Sequence, residues 1–207
     1  MILKKCGEYY TLNKVPGKSI YGERLMIVEG KEYRHWNPHR SKLAAYLKEG
    51  GSLPIDKGSC VLYLGAGDGT TVSHLSDILT NGYILAVELS SKPFKNLLSL
   101  SEKRSNIFPI LCDARNPWAY DGIVESIDFT YQDIAQPDQV KIFIKNLKHF
   151  PPPCAGIAVK ARSIDVTRRP GNIFKEAKRE LKEADFEILD MLDISRWQKD
   201  HAIIMIK

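Results

Sequence analysis

Along most of the chain the hydrophobic positions fall in short runs separated by polar turns. Five runs of strand type stand at residues 60–64, 83–88, 107–112, 126–131 and 154–160. Between them, apolar residues recur at helical spacing near 70–79, 91–103 and 137–148. Apolar β-rich strands joined by helical connections predict a parallel sheet covered on both faces. A further helix near 171–184 precedes two last strands, 185–192 and 202–206, only nine residues apart. That gap is too short for a helical crossover, so these two are expected to pair antiparallel. The expected class is α/β, a Rossmann-like, seven-stranded, mostly parallel sheet with an antiparallel terminal strand.

Residues 1–36 read differently. Short alternating segments, Tyr9 to Leu12 and Leu25 to Val28, are set between Gly and Pro turns. They predict a small β-rich N-terminal domain of a few antiparallel strands, with a second domain over residues 37–207. Asn37-Pro38 reads as a helix start, Leu43, Ala44 and Leu47 as that helix's apolar face, and Gly50-Gly51 as its end.

Composition narrows the class only a little. The 43% hydrophobic and 27% charged residues are ordinary for a globular protein, and no apolar run approaches a membrane span. With no secretory signal layout at its start, the chain is expected to be cytoplasmic and without a membrane partner. The net charge of +5 permits a nucleic-acid partner without demonstrating one. Two basic clusters, Arg34, His35, His39, Arg40, Lys42 and Lys160, Arg162, Arg168, Arg169, read as solvated surface on charge alone. Cys6, Cys60, Cys112 and Cys154 are scattered, form no close pair and read as small buried hydrophobes, with no metal site expected.

The chemistry concentrates where the first parallel strand ends, in Val61-Leu62-Tyr63-Leu64-Gly65-Ala66-Gly67-Asp68-Gly69-Thr70-Thr71. Glycines there allow a sharp turn and bring backbone amides against a ligand. Glu88, about 20 residues past the last glycine, ends the second strand where an acid grips ribose hydroxyls. Asp113 ends the third strand, placed to accept from the exocyclic amine of adenine, and Asp133 follows the fourth. A dinucleotide fingerprint carries a third glycine where this chain has Thr70, so hydride transfer is the rival reading. Glycine loop, ribose acid and adenine acid together describe an adenosine without a pyrophosphate, which fits S-adenosylmethionine and a class I methyltransferase fold.

At this point the chain resembles the fibrillarin family, ribose 2′-O-methyltransferases of box C/D RNA-guided particles. Tyr33 through Ala45 resembles the family's YR-x-WNP-x-RSKLAA signature, and Val61 to His74 its cofactor loop. Asp113-Ala114-Arg115 resembles the adenine segment, Asp133-Ile134-Ala135-Gln136-Pro137-Asp138-Gln139 the D-[IV]-AQPDQ motif, and Asp200-His201-Ala202 the final DHA. The departures are Gly67-Asp68 for the usual Ala-Ser, Leu89 and Ser91 for an aromatic and a histidine, and Cys112 for an acid. Without a Gly/Arg-rich N-terminal tract, the chain looks archaeal.

The resemblance implies a Lys-Asp-Lys-His tetrad at Lys42, Asp133, Lys160 and His201. It implies S-adenosylmethionine held by Gly65, Ala66, Gly67, Thr70, Thr71, Glu88, Leu89, Asp113, Ala114, Asp133, Ile134, Ala135 and Gln136. Topology alone brings Asp133, Lys160 and His201 to one sheet edge, because a reversed strand starts where its neighbours end; Lys42 needs the resemblance. Lys160 is the expected proton acceptor, provided burial and a neighbouring cation favour its neutral form. Expected partners are a box C/D guide RNA, its target rRNA or tRNA, a Nop-family scaffold protein and a kink-turn-binding ribosomal-type protein. The rivals are methylation of a free small molecule or protein, and a noncatalytic particle subunit with a vestigial cofactor fold. His35, His39, His74 and His149 read as surface or helix-end residues, Trp36 and Trp197 as core, and Asp138 as helix-terminus charge.

Overall fold

A computed structural model describes residues 2–123 and 126–207. Two sheets organise it. The first is antiparallel, built from β1 (Ile2–Lys5), β2 (Glu8–Leu12), β3 (Leu25–Val28) and β4 (Lys31–His35) in the order β1-β2-β4-β3.

After α1 (Lys42–Lys48) the chain alternates β5 (Cys60–Leu64), α2 (Thr70–Ile78), β6 (Tyr83–Glu88), α3 (Ser91–Ser101) and β7 (Ile107–Leu111). A 3-10 helix at Pro117–Ile123, unforeseen in the sequence, leads toward β8 (Phe129–Gln132), α4 (Gln139–His149) and β9 (Cys154–Lys160). The turn α5 (Ala161–Ile164), α6 (Pro170–Glu183), β10 (Ile188–Asp193) and β11 (His201–Ile206) follow.

The second sheet has seven strands in the order β10-β11-β9-β8-β5-β6-β7. Neighbours from β9 to β7 run parallel, while β11 is antiparallel to both β9 and β10. The reversed strand, last in sequence, is therefore second from the edge in space. Strand order turns back between β5 and β8, which opens a crevice beyond their carboxyl ends.

Strand alternation divides the core. Val61 and Tyr63 of β5, with Tyr131 of β8 and Ala158 of β9, face α1, α2 and α3 through Leu43, Tyr46, Val72, Leu75 and Leu97. Ile157, Val159 and Ile204 face α4 and α6 through Phe143, Leu147, Phe174 and Leu181. Burying both faces accounts for the nearly unbroken apolar runs. No helix among the described residues is long and apolar enough to cross a membrane.

Several sequence expectations need correction. Asn37 starts a turn, its carbonyl accepting from Arg40 N and Ser41 N, and α1 begins later with Ser41 as cap. Pro38 sits in that turn rather than in the helix. The other end is as read: Gly50 N donates to Leu47 O and Gly51 N to Tyr46 O, with Gly50 at φ +96°. The fourth strand starts at Phe129, not 126, because Asp128 turns back onto the start of β5: its N donates to Cys60 O, and its Oδ2 accepts from Cys60 N. Cys60 alone of the cysteines is buried; Cys6 is exposed in the β1–β2 turn.

Arg34 and His74 are not surface residues; both are fully buried where the first sheet meets α2. Arg34 Nε donates to Glu23 Oε1 (2.6 Å), Nη1 to Asp77 Oδ2 (2.8 Å) and Nη2 to Ser73 Oγ (2.8 Å). Arg104 Nη1 donates to the other Asp77 oxygen at 2.5 Å. Thr11 Oγ1 donates to Asp77 (2.8 Å) and so accepts from His74 Nδ1 (2.7 Å), while His74 Nε2 lies 2.7 Å from the Tyr21 hydroxyl. The imidazole stacks on Trp36 with ring centres 5.2 Å apart. Burial, then the two arginines, holds its pKa well below the usual histidine value.

Candidate active site

The crevice between β5 and β8 is a cleft of about 420 Å³, within the range of small-ligand sites. All thirteen residues assigned to the cofactor line it. Gly65 N and Ala66 N both donate to Val87 O, folding the loop back over β6. Gly65 has φ +81°, and a Cβ there would stand 2.8 Å from the Asp133 carbonyl oxygen. That contact fits only glycine. At Gly67 a Cβ would meet nothing within 4 Å, so the loop leaves open space on that side. Thr70 and Thr71 open α2 behind Gly69.

Glu88 is already oriented by the backbone. Its Oε2 accepts from Gly67 N (2.8 Å) and its Oε1 from Ser90 N (2.7 Å), and the remaining lone pairs can receive hydroxyls. Asp113 Oδ1 accepts from Arg115 N at 2.9 Å. Leu89 is 54% exposed, an open apolar wall where an aromatic was the family expectation.

The four residues of the implied tetrad converge. Lys42 Nζ lies 3.1 Å from both Asp133 carboxylate oxygens. Lys160 Nζ lies 2.8 Å from Asp133 Oδ1, off the hydrogen-bonding direction, and donates an aligned bond to the Asp133 carbonyl at 2.9 Å. Antiparallel register sets His201 directly opposite Lys160. His201 Nδ1 donates to the Lys199 carbonyl (2.6 Å), which leaves the lone pair on Nε2. Burial first, then Lys42 and Lys160, lowers its pKa despite Asp133 and the Lys199 carbonyl, so the ring is neutral at pH 7.

Supporting residues escaped the sequence reading. Gln139, fully buried, accepts from Lys160 N (2.9 Å) and donates to Lys160 O (3.3 Å), fixing that residue's backbone at the strand end. Ser41 Oγ accepts from Trp36 Nε1 (2.9 Å) and Thr71 Oγ1 (2.9 Å), tying the residue before Lys42 to the cofactor helix. Tyr63 also lines the cleft and is fully buried; burial, then Asp133, raises its pKa well above the usual phenol value. Arg40 lines the cleft too, though the sequence offered it only as surface charge. The alternation of β5 could have flagged Tyr63; pairings across distant segments leave no local signal for the others.

The cleft discriminates between ligands. Asp68, Glu88, Asp113 and Asp133 line it, against Arg40, Arg115 and Lys160. Four carboxylates and a loop amide already given to Glu88 disfavour a pyrophosphate and suit an adenosine carrying a positive charge. Fold and cleft together define a class I methyltransferase scaffold.

Comparison with known proteins agrees. The fibrillarin family profile matches residues 2–207. The chain is 48% identical over 201 residues to a fibrillarin-like rRNA/tRNA 2′-O-methyltransferase of Saccharolobus solfataricus, covering 95% of this chain and 87% of that one. The fibrillarin pre-rRNA processing protein of Methanococcus jannaschii superposes with a TM-score of 0.92 at 44% identity, over 96% of this chain and 88% of that one. Aeropyrum pernix fibrillarin, solved with natively bound S-adenosyl-L-methionine, superposes at 0.89 with 40% identity, covering 100% and 98%. A fibrillarin in complex with Nop5p superposes at 0.91 with 44% identity, covering 99% and 96%. The chain belongs to the fibrillarin family.

Proposed function

We propose that this chain is an S-adenosylmethionine-dependent RNA 2′-O-methyltransferase that modifies rRNA, and tRNA as well, under the direction of a guide RNA. The observation that carries the reading is the meeting of Lys42, Asp133, Lys160 and His201 beside an acid-rimmed nucleoside cleft. Glu88 would hold the ribose of the donor, Asp113 its adenine amine, and the glycine loop its methionine end. When bound, S-adenosylmethionine supplies an electrophilic methyl group on a sulfonium.

The protein's own part is alignment and proton handling. A ribose 2′-hydroxyl is a poor nucleophile until its proton is engaged. Lys160, held by Gln139 and by the Asp133 carbonyl, presents an N–H to that oxygen and offsets negative charge as it develops. His201 Nε2 receives the proton, its neutral form secured by burial and the two lysines. The sequence pointed to Lys160 for this step; its bond to the Asp133 carbonyl and the carboxylate beside its Nζ suit it better as a donor. Lys42 neutralises Asp133 and steers the neighbouring phosphate, and closure of the cleft by RNA excludes water.

The chain works with a Nop-family scaffold, in keeping with its likeness to the fibrillarin of the Nop5p complex. The fuller assembly we propose adds a box C/D guide RNA and a kink-turn-binding ribosomal-type protein, in the cytoplasm. The test is reconstitution with those components and a cognate target. Methylation of one ribose, dependent on the guide, is expected from the complex and not from the chain alone. Sequence-selective methylation by the isolated chain, or no uptake of S-adenosylmethionine in calorimetry, would refute the reading.

A further inference from the structure

Arg115 joins the loop after β7 to the loop after β8, the two segments that flank the adenine end of the cleft. Its Nε donates to Asp138 Oδ2 at 3.0 Å and its Nη2 to Asp138 Oδ1 at 2.8 Å, a two-pronged pairing. Nη2 also reaches Gln136 Oε1 at 3.3 Å, and Nη1 stands 3.6 Å from Asp113 Oδ2. The Arg115 backbone N–H donates to Asp113 Oδ1. One residue thus touches the adenine acid, the opposite wall and the N-cap residue of α4.

The helix grips the same loop a second time. Lys145 Nζ donates to Arg115 O (2.7 Å) and Asn146 Nδ2 to Ala114 O (2.8 Å). The loop bearing Asp113 and Ala114 is therefore fastened near both ends of α4, and the spacing between the walls is set by that helix. The Asp138 pKa is lowered chiefly by the hydrogen bonds from Arg115, so its carboxylate stays charged through the physiological range.

We propose that the Arg115–Asp138 pair is a latch that fixes the width of the purine slot and the orientation of Asp113, making Arg115 a positioning and specificity-determining residue for the methyl donor. It acts through Asp113 and Asp138, toward which its guanidinium is turned. A carboxylate held as an acceptor selects a purine bearing an exocyclic amine over one bearing a carbonyl. The proposal rests on the reading that the cleft takes S-adenosylmethionine.

The experiment is titration calorimetry on the full chain with S-adenosylmethionine, S-adenosylhomocysteine and S-inosylhomocysteine. Arg115→Ala and Arg115→Lys should each weaken S-adenosylmethionine binding by about 5–20-fold, because lysine cannot make the paired contact. Asp138→Asn should weaken it comparably, and the double variant should be no worse than the weaker single. The preference for the adenosyl over the inosyl compound should shrink in every variant. In the reconstituted complex KM for the donor rises while kcat at saturation changes by less than about 2-fold. Unchanged affinity and preference in Arg115→Ala, additive losses in the double variant, or normal binding by Asp138→Asn would each overturn the latch. Failure of the wild-type chain to bind S-adenosylmethionine would instead overturn the reading of the cleft itself.

Discussion

Two ion clusters in this chain are built to opposite rules. Where the first sheet meets α2, Arg34, Arg104, Glu23 and Asp77 are sealed at 0% side-chain exposure. Two cations meet two anions there, and the cations are guanidinium groups whose planar forks suit fixed carboxylates. At the sheet edge, Lys42, Lys160 and Asp133 keep 14–17% exposure, and two cations share one anion. Lysine, a compact charge on a flexible stem, leaves an N–H to spare for a substrate. Balanced, forked and closed makes a structural joint; unbalanced, flexible and ajar makes a place for chemistry.

Breaking each cluster should therefore give opposite profiles. Asp77→Ala removes the carboxylate that two buried guanidinium groups share and should cost about 3–5 kcal/mol of stability, read by denaturant titration. Asp133→Ala should lower single-turnover methylation by roughly 10²–10⁴-fold and leave the unfolding midpoint nearly in place. A catalytically dead Asp77 variant of normal stability would erase the distinction.

Acid separates the two regions by a smaller margin. The depressed pKa of His74 means the unfolded chain takes up a proton that the folded one refuses. Stability is then full above about pH 6.5 and falls on acidification by about 1.4 kcal/mol per unit toward the folded-state pKa. His201 predicts a rate, not a stability, that falls up to about tenfold per unit once pH drops below its own lowered pKa. A rate that stays flat on acidification down to the pH at which the fold is lost would remove His201 from proton transfer.

The smallest effect is expected at the junction between the regions. Ser41→Ala removes the α1 cap and leaves Trp36 Nε1 without its acceptor, costing about 1–2 kcal/mol. Because Thr71 shares that oxygen, donor affinity should also fall by a few-fold, measured by the same calorimetry.

How much of this was legible depended on whether the physics was local. The glycine turn, the acids at strand tips and the short β10–β11 gap are readable because each needs only neighbours in sequence. Arg34 and His74 were not: their partners lie across the first sheet and α2, and the chain around Arg34 reads as a basic surface. Arg115 and Asp138 stood in quoted motifs, yet their pairing spans 23 residues and no periodicity announces it. The late start of α1 escaped for a different reason, since Asn37-Pro38 carries a good starting signal that a tight turn used instead.

Gly65 ties capture and reactivity into one allele. The peptide oxygen that a methyl group there would strike is the same oxygen that anchors Lys160. Enlarging residue 65 would displace the bed of the donor and the ammonium together, so no mutational path through that position can loosen one and spare the other. Divergence toward a new donor or a new nucleophile must begin elsewhere on the rim.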